Sequence, residues 1–389
     1  MKQEKQIRII NAVFETLKKQ QNQEDADGIT YEIDAKRYTS KDRFELEKEL
    51  IMKDHPIVVG AEGQLKSNGD YFLHDLTGLP IIAIKGKDGM IRAFLNMCRH
   101  RGVRLLEKSE GKIRRNIVCP YHAWSYDTAG CLKGIFHPQG FENVDENSHS
   151  LIELDCWIRL GMIFVVPNPK LKGTFNIDEW LKEVFSMTEG FDFGELTPYY
   201  FTNHELDCNW KLLVDGALEG YHFKIAHANT IGEYFLDNMS VNIENKLHSS
   251  IIFPKRTMQK MQELPSYQWE LRKGANILIH LFPNTILLIE PDHIMVVSFV
   301  PISENTTKIS SFMLIPSEPT TEKEKEYWDL NANIFWNAIN EDNEMAILQQ
   351  KSFNGFSDTT MTVGSYEKLL VQFENLVDSI LEKSKTSKV

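Results

Sequence analysis

The sequence predicts an α+β protein, with a small all-β domain followed by a larger domain of helices and strands. Short apolar stretches separated by Gly, Asn and Asp turns fill residues 46–166, a pattern typical of β-strands. After the linker-like segment PNPK at 167–170, helical stretches alternate with longer strands, such as 277–289 and 294–301. A chain of 389 residues is long enough to form two domains, each with its own core.

The N-terminal segment is predicted to be helical and to pack on the larger domain. Its apolar side chains recur at helical spacing: Ile7, Ile10, Val13, Phe14 and Leu17. It lacks the uninterrupted apolar core of a signal peptide, and no apolar run in the chain is long enough to cross a membrane. We therefore expect a helical segment at 1–45, an all-β domain at 46–166 and a larger domain at 167–389.

Charge and cysteine content restrict the class of protein. The formal net charge of −12 argues against binding nucleic acid or an anionic membrane through charge alone. Two of the five cysteines belong to a motif described below, and the other three, Cys131, Cys156 and Cys208, have no regular spacing. This pattern favours a reducing compartment over a disulfide framework. We expect a cytoplasmic protein that binds neither nucleic acid nor membranes.

The most informative motif is a pair of short segments that each contain one cysteine and one histidine. They read CRH at 98–100 and CPYH at 119–122, and 18 residues lie between them. A hairpin could bring the two thiolates and two imidazoles together, the ligand set of a [2Fe–2S] cluster with two Cys on one iron and two His on the other. A structural zinc site uses the same ligand types but usually pairs like with like, so the cluster is favoured and zinc remains an alternative. The predicted ligands are Cys98, His100, Cys119 and His122.

A second pair of histidines lies in the larger domain. His222 and His227 are five residues apart, so on an ideal helix they would diverge by roughly 140° and the helix must end or distort there. Glu219 falls between them on the helical wheel. Two imidazoles and a carboxylate, with coordination positions left open, form the ligand set of a non-haem Fe(II) oxygenase.

The third ligand is expected to come from a long helix predicted at 323–350. Asp342 lies in the centre of its apolar stripe, whereas Glu341 and Glu344 point away from it. A buried unpaired carboxylate is costly, so we predict that Asp342 contacts a cation. Pairing with a lysine or a backbone amide is an alternative for Asp342, and Glu219 is the competing third ligand. The stripe contains Trp328, Phe335, Ala338, Ile339, Met345 and Ala346.

With their neighbours, the two cysteine–histidine segments read CRHRG from residue 98 and CPYHAWSYD from residue 119. They closely resemble the Rieske domain of the Rieske non-haem iron oxygenases. NWK at 209–211, EGYHFKIAH at 219–227 and ED at 341–342 are similar to the iron-binding core of the oxygenase component, the alpha subunit of the ring-hydroxylating type. The resemblance implies a Rieske [2Fe–2S] domain and a helix-grip (START-like) catalytic domain with an antiparallel sheet.

The resemblance also implies roles for individual residues. It assigns His222, His227 and Asp342 to a mononuclear Fe(II). The family's acidic residue at the position of Glu219 hydrogen-bonds an iron-ligand histidine and a cluster histidine of the neighbouring subunit. By this match Glu219 is the inter-subunit electron bridge, with His122 as its partner. Asp215-Gly216 departs from the family, in which an acidic residue is often followed by Asn.

The implied function is the terminal oxygenase of a multicomponent system. O₂ and electrons from NAD(P)H, delivered by a separate reductase with or without a ferredoxin, would hydroxylate a small organic substrate by mono- or dioxygenation, or demethylate it oxidatively. A homotrimer is implied. An aromatic or alicyclic substrate is expected, because apolar residues surround the histidines. These residues are Leu218, Phe223, Ile225, Ile231, Phe235 and Leu236, together with Phe282, Phe335 and Trp336.

Three other functions remain open from the sequence. One is a pure electron carrier, although the second metal motif and the extra two hundred residues argue against it. Glutamate at position 219 is more like the carnitine- and choline-type monooxygenases, so a quaternary amine held by cation–π contacts is an alternative substrate. The non-enzymatic alternative is a redox-sensing, ligand-binding protein.

Overall fold

The structure is a computed structural model of the chain. It describes residues 1–24, 26–76, 78–145, 148–191, 193–244 and 246–386. Two compact units are present: a small unit, Met52–Trp180, and a large unit, made of Met1–Ile51 and the chain from Leu181 onward. The predicted domain boundaries at 45/46 and 166/167 remain predictions; the structural units change at 51/52 and 180/181. No helix in the described part of the chain is long and apolar enough to span a bilayer.

The N-terminal part of the large unit contains helix α1 (Gln3–Gln21), strand β1 (Tyr31–Asp34) and helix α2 (Lys41–Glu47). Helix α1 buries one face through Ile9, Ile10, Val13 and Phe14, as its apolar spacing predicts. Its Gln6 side chain accepts a hydrogen bond from the backbone N–H of Leu271, which ties the helix to the C-terminal part of the large unit.

The small unit is built from antiparallel strands. They are β2 (Ile57–Ala61), β3 (Asp70–Leu76), β4 (Leu79–Lys85), β5 (Ile91–Leu95), β6 (Glu110–Lys112), β7 (Ile117–Val118), β8 (Ser125–Tyr126), β9 (Leu132–Gly134), β10 (Glu153–Arg159) and β11 (Met162–Val166), followed by helix α3 (Ile177–Trp180). Among the described residues, one sheet has the order β2-β11-β10-β5-β4-β3-β6 and another the order β7-β8-β9. Residues 98–100 follow β5, and residues 119–122 connect β7 to β8, so both segments lie in loops.

The rest of the large unit alternates helices with long strands. Its elements are α4 (Lys182–Thr188), β12 (Thr197–Leu206), α5 (Trp210–Ala217), α6 (Phe223–Ala226), β13 (Val241–Glu244), β14 (Ser249–Pro254), α7 (Leu271–Gly274), β15 (Ala275–Leu281), β16 (Thr285–Ile289), β17 (Ile294–Ser303), β18 (Thr306–Ile315), α8 (Glu322–Gly355), β19 (Thr360–Val363) and α9 (Lys368–Thr386). In the described residues, the antiparallel sheet runs β12-β18-β17-β16-β15-β14-β13, and β1 pairs with β19. Helix α5 packs against β17, and α8 packs against α5 and β12. The predicted α+β class, with antiparallel sheets, is confirmed.

Two long elements were predicted in this unit. The helix expected at 323–350 is α8, which begins at a capping box formed by Thr321 and Glu324. The prediction of one continuous strand at 277–289 is wrong. The chain turns within this segment, which forms the hairpin of β15 and β16. The turn contains Pro283, which has no backbone N–H to donate within a continuous strand.

Candidate active site and cluster site

Cys98 and Cys119 of the small unit each begin a tight loop that folds back on itself. The N–H of Cys98 donates to the carbonyl of Val103 and that of Cys119 to the carbonyl of Trp124, both at 2.8 Å. Four residues after each cysteine the backbone is left-handed, with φ of +75° at Gly102 and +56° at Ala123. Glycine adopts this conformation freely, whereas a residue with a Cβ does so at a cost of about 1–2 kcal/mol. The two loops therefore share one turn geometry despite their different sequences.

The imidazoles of His100 and His122 face each other between the loops. Their ring centroids lie 4.7 Å apart, and Trp124 stacks on His100 at 4.9 Å. Within the described structure, both Nδ1 atoms are buried and have no hydrogen-bond partner. Burial, reinforced by the neighbouring His122, lowers the pKa of His100 and favours the neutral ring that can bind a metal.

The two cysteines complete the set. Cys98 and Cys119 are only 2% and 3% exposed, and burial is the main reason that the pKa of Cys98 is raised. Two buried thiols and two imidazole nitrogens without partners fit the ligand set of a Rieske cluster. The hydroxyl of Tyr126 lies 3.4 Å from Cys98 Sγ and accepts a hydrogen bond from the N–H of Arg99.

The large unit brings His222, His227 and Asp342 together. Helix α6 is one turn long and lies between the two histidines, so it ends where the five-residue spacing predicts. Asp342 Oδ1 lies 3.3 Å from His222 Nε2 and 3.1 Å from His227 Nε2. One ligand atom from each residue lies within 4.8 Å of the other two. Two imidazoles and one carboxylate at this separation fit an iron of the facial-triad type.

Two glutamates orient the histidines. Glu219 accepts a hydrogen bond from His222 Nδ1 and from the backbone N–H of Tyr221. Glu341 Oε2 accepts from His227 Nδ1 at 2.8 Å and from Thr230 Oγ1 at 2.5 Å. With the Nδ1–H of each ring bonded to a glutamate, each Nε2 can offer its lone pair to a metal bound between the two rings and Asp342.

Glu341 was predicted to point away from the apolar stripe of α8, but its side chain contacts a histidine of the triad. Glu341 is half-buried and contacts His227, although it precedes Asp342 by one position on α8. A helical-wheel projection considers one helix in isolation. In the structure, the face of α8 that lies against His222 and His227 is wide enough to include both Glu341 and Asp342. The sequence feature that could have indicated this contact is the position of Glu341 directly before Asp342.

Three carboxylates surround the imidazole rings of His222 and His227: Glu219, Glu341 and Asp342. Burial opposes protonation of His222, but Asp342 and Glu219 outweigh it and raise its pKa to about 10. Burial likewise opposes ionisation of Asp342, but hydrogen bonds to His222 and His227 hold its pKa below the usual value. A divalent cation would compensate this charge, since buried carboxylates need a positive partner.

A cavity of about 630 Å³ adjoins the triad. Of the apolar residues predicted to surround the histidines, Phe223, Ile231, Phe235 and Phe335 line it. Ile225 does not, because it is 80% exposed at the surface. The other predicted residues that do not line the cavity are Leu218, Leu236, Phe282 and Trp336. The inner face of the sheet supplies further apolar residues that the sequence analysis missed: Phe253, Leu278, Ile286, Leu288 and Phe299.

Comparison with known families covers both sites. Residues 55–144 match the Rieske [2Fe-2S] domain, and residues 193–383 match the catalytic domain of the ring hydroxylating alpha subunit. The chain belongs to the Rieske non-haem iron oxygenases. This assignment confirms the predicted family and its two cofactors, a [2Fe–2S] Rieske cluster and a mononuclear iron.

Named relatives of this Rieske oxygenase include both monooxygenases and dioxygenases. The carnitine monooxygenase oxygenase subunit of Escherichia coli K12 is 28% identical over 317 residues, which are 78% of this chain and 80% of the relative. The benzene 1,2-dioxygenase subunit alpha of Pseudomonas putida is 30% identical over 203 residues, 51% of this chain and 43% of the relative. These relatives confirm the predicted enzyme class, an oxygenase component of EC 1.14 that acts on a small molecule.

Solved structures share the fold. The quaternary ammonium Rieske monooxygenase CntA in complex with L-carnitine has a TM-score of 0.76 at 23% identity, over 91% of this chain and 96% of that one. Naphthalene 1,2-dioxygenase from Rhodococcus sp. bound to indole has a TM-score of 0.75 at 15% identity, over 90% and 94%. The same Rieske oxygenase fold thus serves proteins with very different ligands.

Proposed function

We propose that this Rieske oxygenase hydroxylates, or oxidatively demethylates, a small and largely apolar substrate of the aromatic or alicyclic type. The observation that carries the proposal is the cavity of about 630 Å³ beside the triad, whose walls include many Phe, Leu and Ile side chains. Apolar walls with a few polar groups are typical of sites for drug-sized organic molecules. The walls position the substrate and exclude water, and the iron, when bound, supplies the oxygen chemistry.

The metal ligands are part of this proposal. We assign Cys98, His100, Cys119 and His122 to the cluster, on the strength of the buried thiols and the imidazole nitrogens without partners. We assign the mononuclear iron to His222, His227 and Asp342, which converge within 4.8 Å. Glu219 and Glu341 hold the two rings so that Nε2 faces the third ligand.

Electron transfer is proposed to cross a subunit interface through Glu219. This carboxylate is 9% exposed and bonds the triad residue His222, so it already has one of the two contacts that the bridge requires. His122 of a neighbouring chain would supply the other contact. A solved quaternary ammonium Rieske monooxygenase is described with inter-subunit electron transfer, which supports a ring, and we propose a homotrimer.

The partners follow from the need for electrons. We propose a reductase that uses NAD(P)H, with or without a ferredoxin, as the donor to the cluster. A reducing compartment, the cytoplasm, suits the cysteines of the described chain, which are all free thiols.

A quaternary amine is the second candidate substrate. Phe223, Phe235 and Phe253 form an aromatic group in the cavity, with ring centroids 4.8–5.4 Å apart around Phe223. Aromatic faces attract quaternary ammonium groups through cation–π contacts. The relatives named for carnitine oxidation add support for this candidate.

The first test replaces the proposed iron ligand. Asp342→Asn keeps the size of the side chain but removes the charged ligand oxygen, so we expect one iron fewer per chain. Wild-type protein purified without oxygen should hold roughly three irons and two acid-labile sulfides per chain. The dithionite-reduced variant should keep the Rieske EPR signal but form no product with a surrogate reductase. Glu344→Gln, an exposed substitution on the same helix, is the matched control.

Two results would overturn these assignments. Full iron content in Asp342→Asn would remove Asp342 from the iron site, and zinc without sulfide would remove the cluster. Substrate screening then separates the candidates: turnover of carnitine or betaine, with none of bicyclic hydrocarbons, would replace the aromatic or alicyclic proposal with the quaternary amine.

A further inference from the structure

One end of the active-site cavity is polar. Lys255 directly follows β14, Asn276 lies at the start of β15, and Glu290 directly follows β16. Phe253 pairs with Asn276, and Ile277 pairs with Ile289 on the next strand. Lys255, Asn276 and Glu290 therefore lie together at the same end of three neighbouring strands. Apolar side chains of the same sheet also line the cavity: Leu278, Ile286, Leu288 and Phe299.

The hydrogen bonds in this cluster fix the orientation of the Asn276 amide. Its Nδ2 donates to Glu290 Oε1 at 2.6 Å. The reverse orientation would place the amide oxygen against a carboxylate oxygen, two acceptors with no proton between them. Arg272 Nε donates to the backbone carbonyl of Glu290 at 2.8 Å. In the described part of the chain, the Glu290 carboxylate accepts hydrogen bonds from Asn276 and Lys255.

This orientation leaves Asn276 Oδ1 as a buried acceptor. The residue is 6% exposed, and Oδ1 has no hydrogen-bond partner in the described structure. A buried amide oxygen without a partner is costly, and it lies on a residue that lines the cavity. Lys255 Nζ lies 3.5 Å from Glu290 Oε2, a long contact that uses one of its three ammonium protons.

We propose that Lys255, Asn276 and Glu290 form a subsite for a neutral substrate group that both donates and accepts a hydrogen bond, such as a hydroxyl or a carboxamide. The group donates its O–H or N–H to Asn276 Oδ1 and accepts from Lys255 Nζ. The opposite charges of Lys255 and Glu290 cancel, so a neutral group fits better than an ion. A quaternary ammonium carries no N–H and leaves Asn276 Oδ1 without a partner.

The subsite lies beyond the aromatic group that contacts the triad. Phe223 packs against His227, with ring centroids 5.4 Å apart, and against Phe253 at 4.8 Å. Phe253 in turn pairs with Asn276 across the sheet. The substrate therefore places its apolar body along the sheet and its polar group at the far end from the oxidised carbon. This inference rests on the proposed function and specifies the substrate class.

The test compares two ligands that differ by one hydroxyl. Tetralin and 2-tetralol, with gamma-butyrobetaine as the third probe, a quaternary amine that carries no hydroxyl, are titrated calorimetrically into anaerobic holoenzyme of verified iron content. We expect 2-tetralol to bind about tenfold more tightly than tetralin, since one net hydrogen bond contributes about 1.4 kcal/mol. Asn276→Leu should abolish this preference. Asn331→Leu, a cavity asparagine on α8 whose Nδ2 bonds the carbonyl of Tyr327, should keep it.

The outcomes separate the subsite from the proposed function. Equal binding of the two tetralins to the wild-type protein overturns the subsite and leaves the apolar pocket in place. A preference that survives in Asn276→Leu also overturns it. Binding of gamma-butyrobetaine alone, or of none of the three probes at millimolar concentration, overturns the subsite and the aromatic or alicyclic substrate together. The wild-type comparison needs no variant, so it stands even where Asn276→Leu fails to fold.

Discussion

At the scale of single residues, two glutamates from different elements orient the histidines of the proposed iron site. Glu219 precedes α6 and bonds His222, whereas Glu341 lies on α8 and bonds His227. Both hold the Nδ1–H tautomer, so both rings offer Nε2 to the metal. Partners of this kind tune affinity as well as orientation, because a carboxylate makes the imidazole a stronger base.

Glu341→Gln is therefore expected to weaken iron binding by roughly 10–100-fold, as for other carboxylate partners of metal-ligand histidines. The amide loses the charge that strengthens His227 as a ligand but keeps the size of the side chain. Competition with a ferrous chelator measures the change, and the exposed Glu344→Gln is the control. Unchanged affinity in Glu341→Gln would show that His227 needs no carboxylate partner.

At the scale of one element, strand β15 (Ala275–Leu281) carries polar residues near both ends although all of it is buried. Asn276 faces the cavity near one end, and His280 lies near the other. His280 Nε2–H donates to the carbonyl of Pro283 at 3.0 Å, in the turn to β16. Burial lowers the pKa of His280 to about 4.

This histidine should make stability depend on pH. Because its folded pKa of about 4 lies below the unfolded value near 6.5, the unfolded chain binds more protons between these values. The free energy of unfolding should thus fall as the pH falls from about 6.5 to 4, by at most about 3 kcal/mol from this group. His280→Gln keeps an N–H donor but does not titrate.

Urea unfolding of wild-type and His280→Gln proteins at a series of pH values measures this contribution. We expect a shallower decline below about pH 6.5 in the variant. His137→Gln, at an exposed histidine, should follow the wild-type curve. Parallel curves for His280→Gln and the wild type would mean that His280 is not the group responsible.

At the scale of the whole molecule, the two metal sites lie in different structural units. The cluster residues belong to Met52–Trp180, and the triad belongs to the unit that contains Leu181 onward. If electrons pass between chains, a chain without a cluster and a chain without iron can complement each other.

Mixed oligomers test this directly. Cys98→Ser removes a cluster ligand, Asp342→Asn removes an iron ligand, and each variant alone should be inactive. In equal mixtures assembled at random into head-to-tail rings, roughly a quarter of the interfaces join an intact cluster to an intact iron. Product formation near that fraction of wild type is expected.

Adding Glu219→Gln to the Cys98→Ser chain, which holds the intact iron, should suppress the recovered activity while both metals are retained. Inactive mixed oligomers of verified composition would contradict transfer between subunits and leave Glu219 as a support for His222 alone.

The sequence by itself determined the parts of this protein that depend on short-range geometry. The cysteine–histidine segments lie in loops whose tight turns need only a few residues, so CRH at 98–100 and CPYH at 119–122 predicted a cluster. The end of α6 followed from the spacing of His222 and His227, and the position of Asp342 followed from the periodicity of α8. The family, the fold class and both cofactors were predictable for the same reason.

Only the tertiary structure decided which distant residues meet. Glu341 reaches His227 because α6 and α8 face each other, 114 residues apart in sequence. Lys255, Asn276 and Glu290 meet because the strands that carry them are neighbours in register, and the break at Pro283 makes β15 and β16 a hairpin. Local patterns specify which face of an element is apolar, but contacts between elements depend on how the whole sheet and its helices pack.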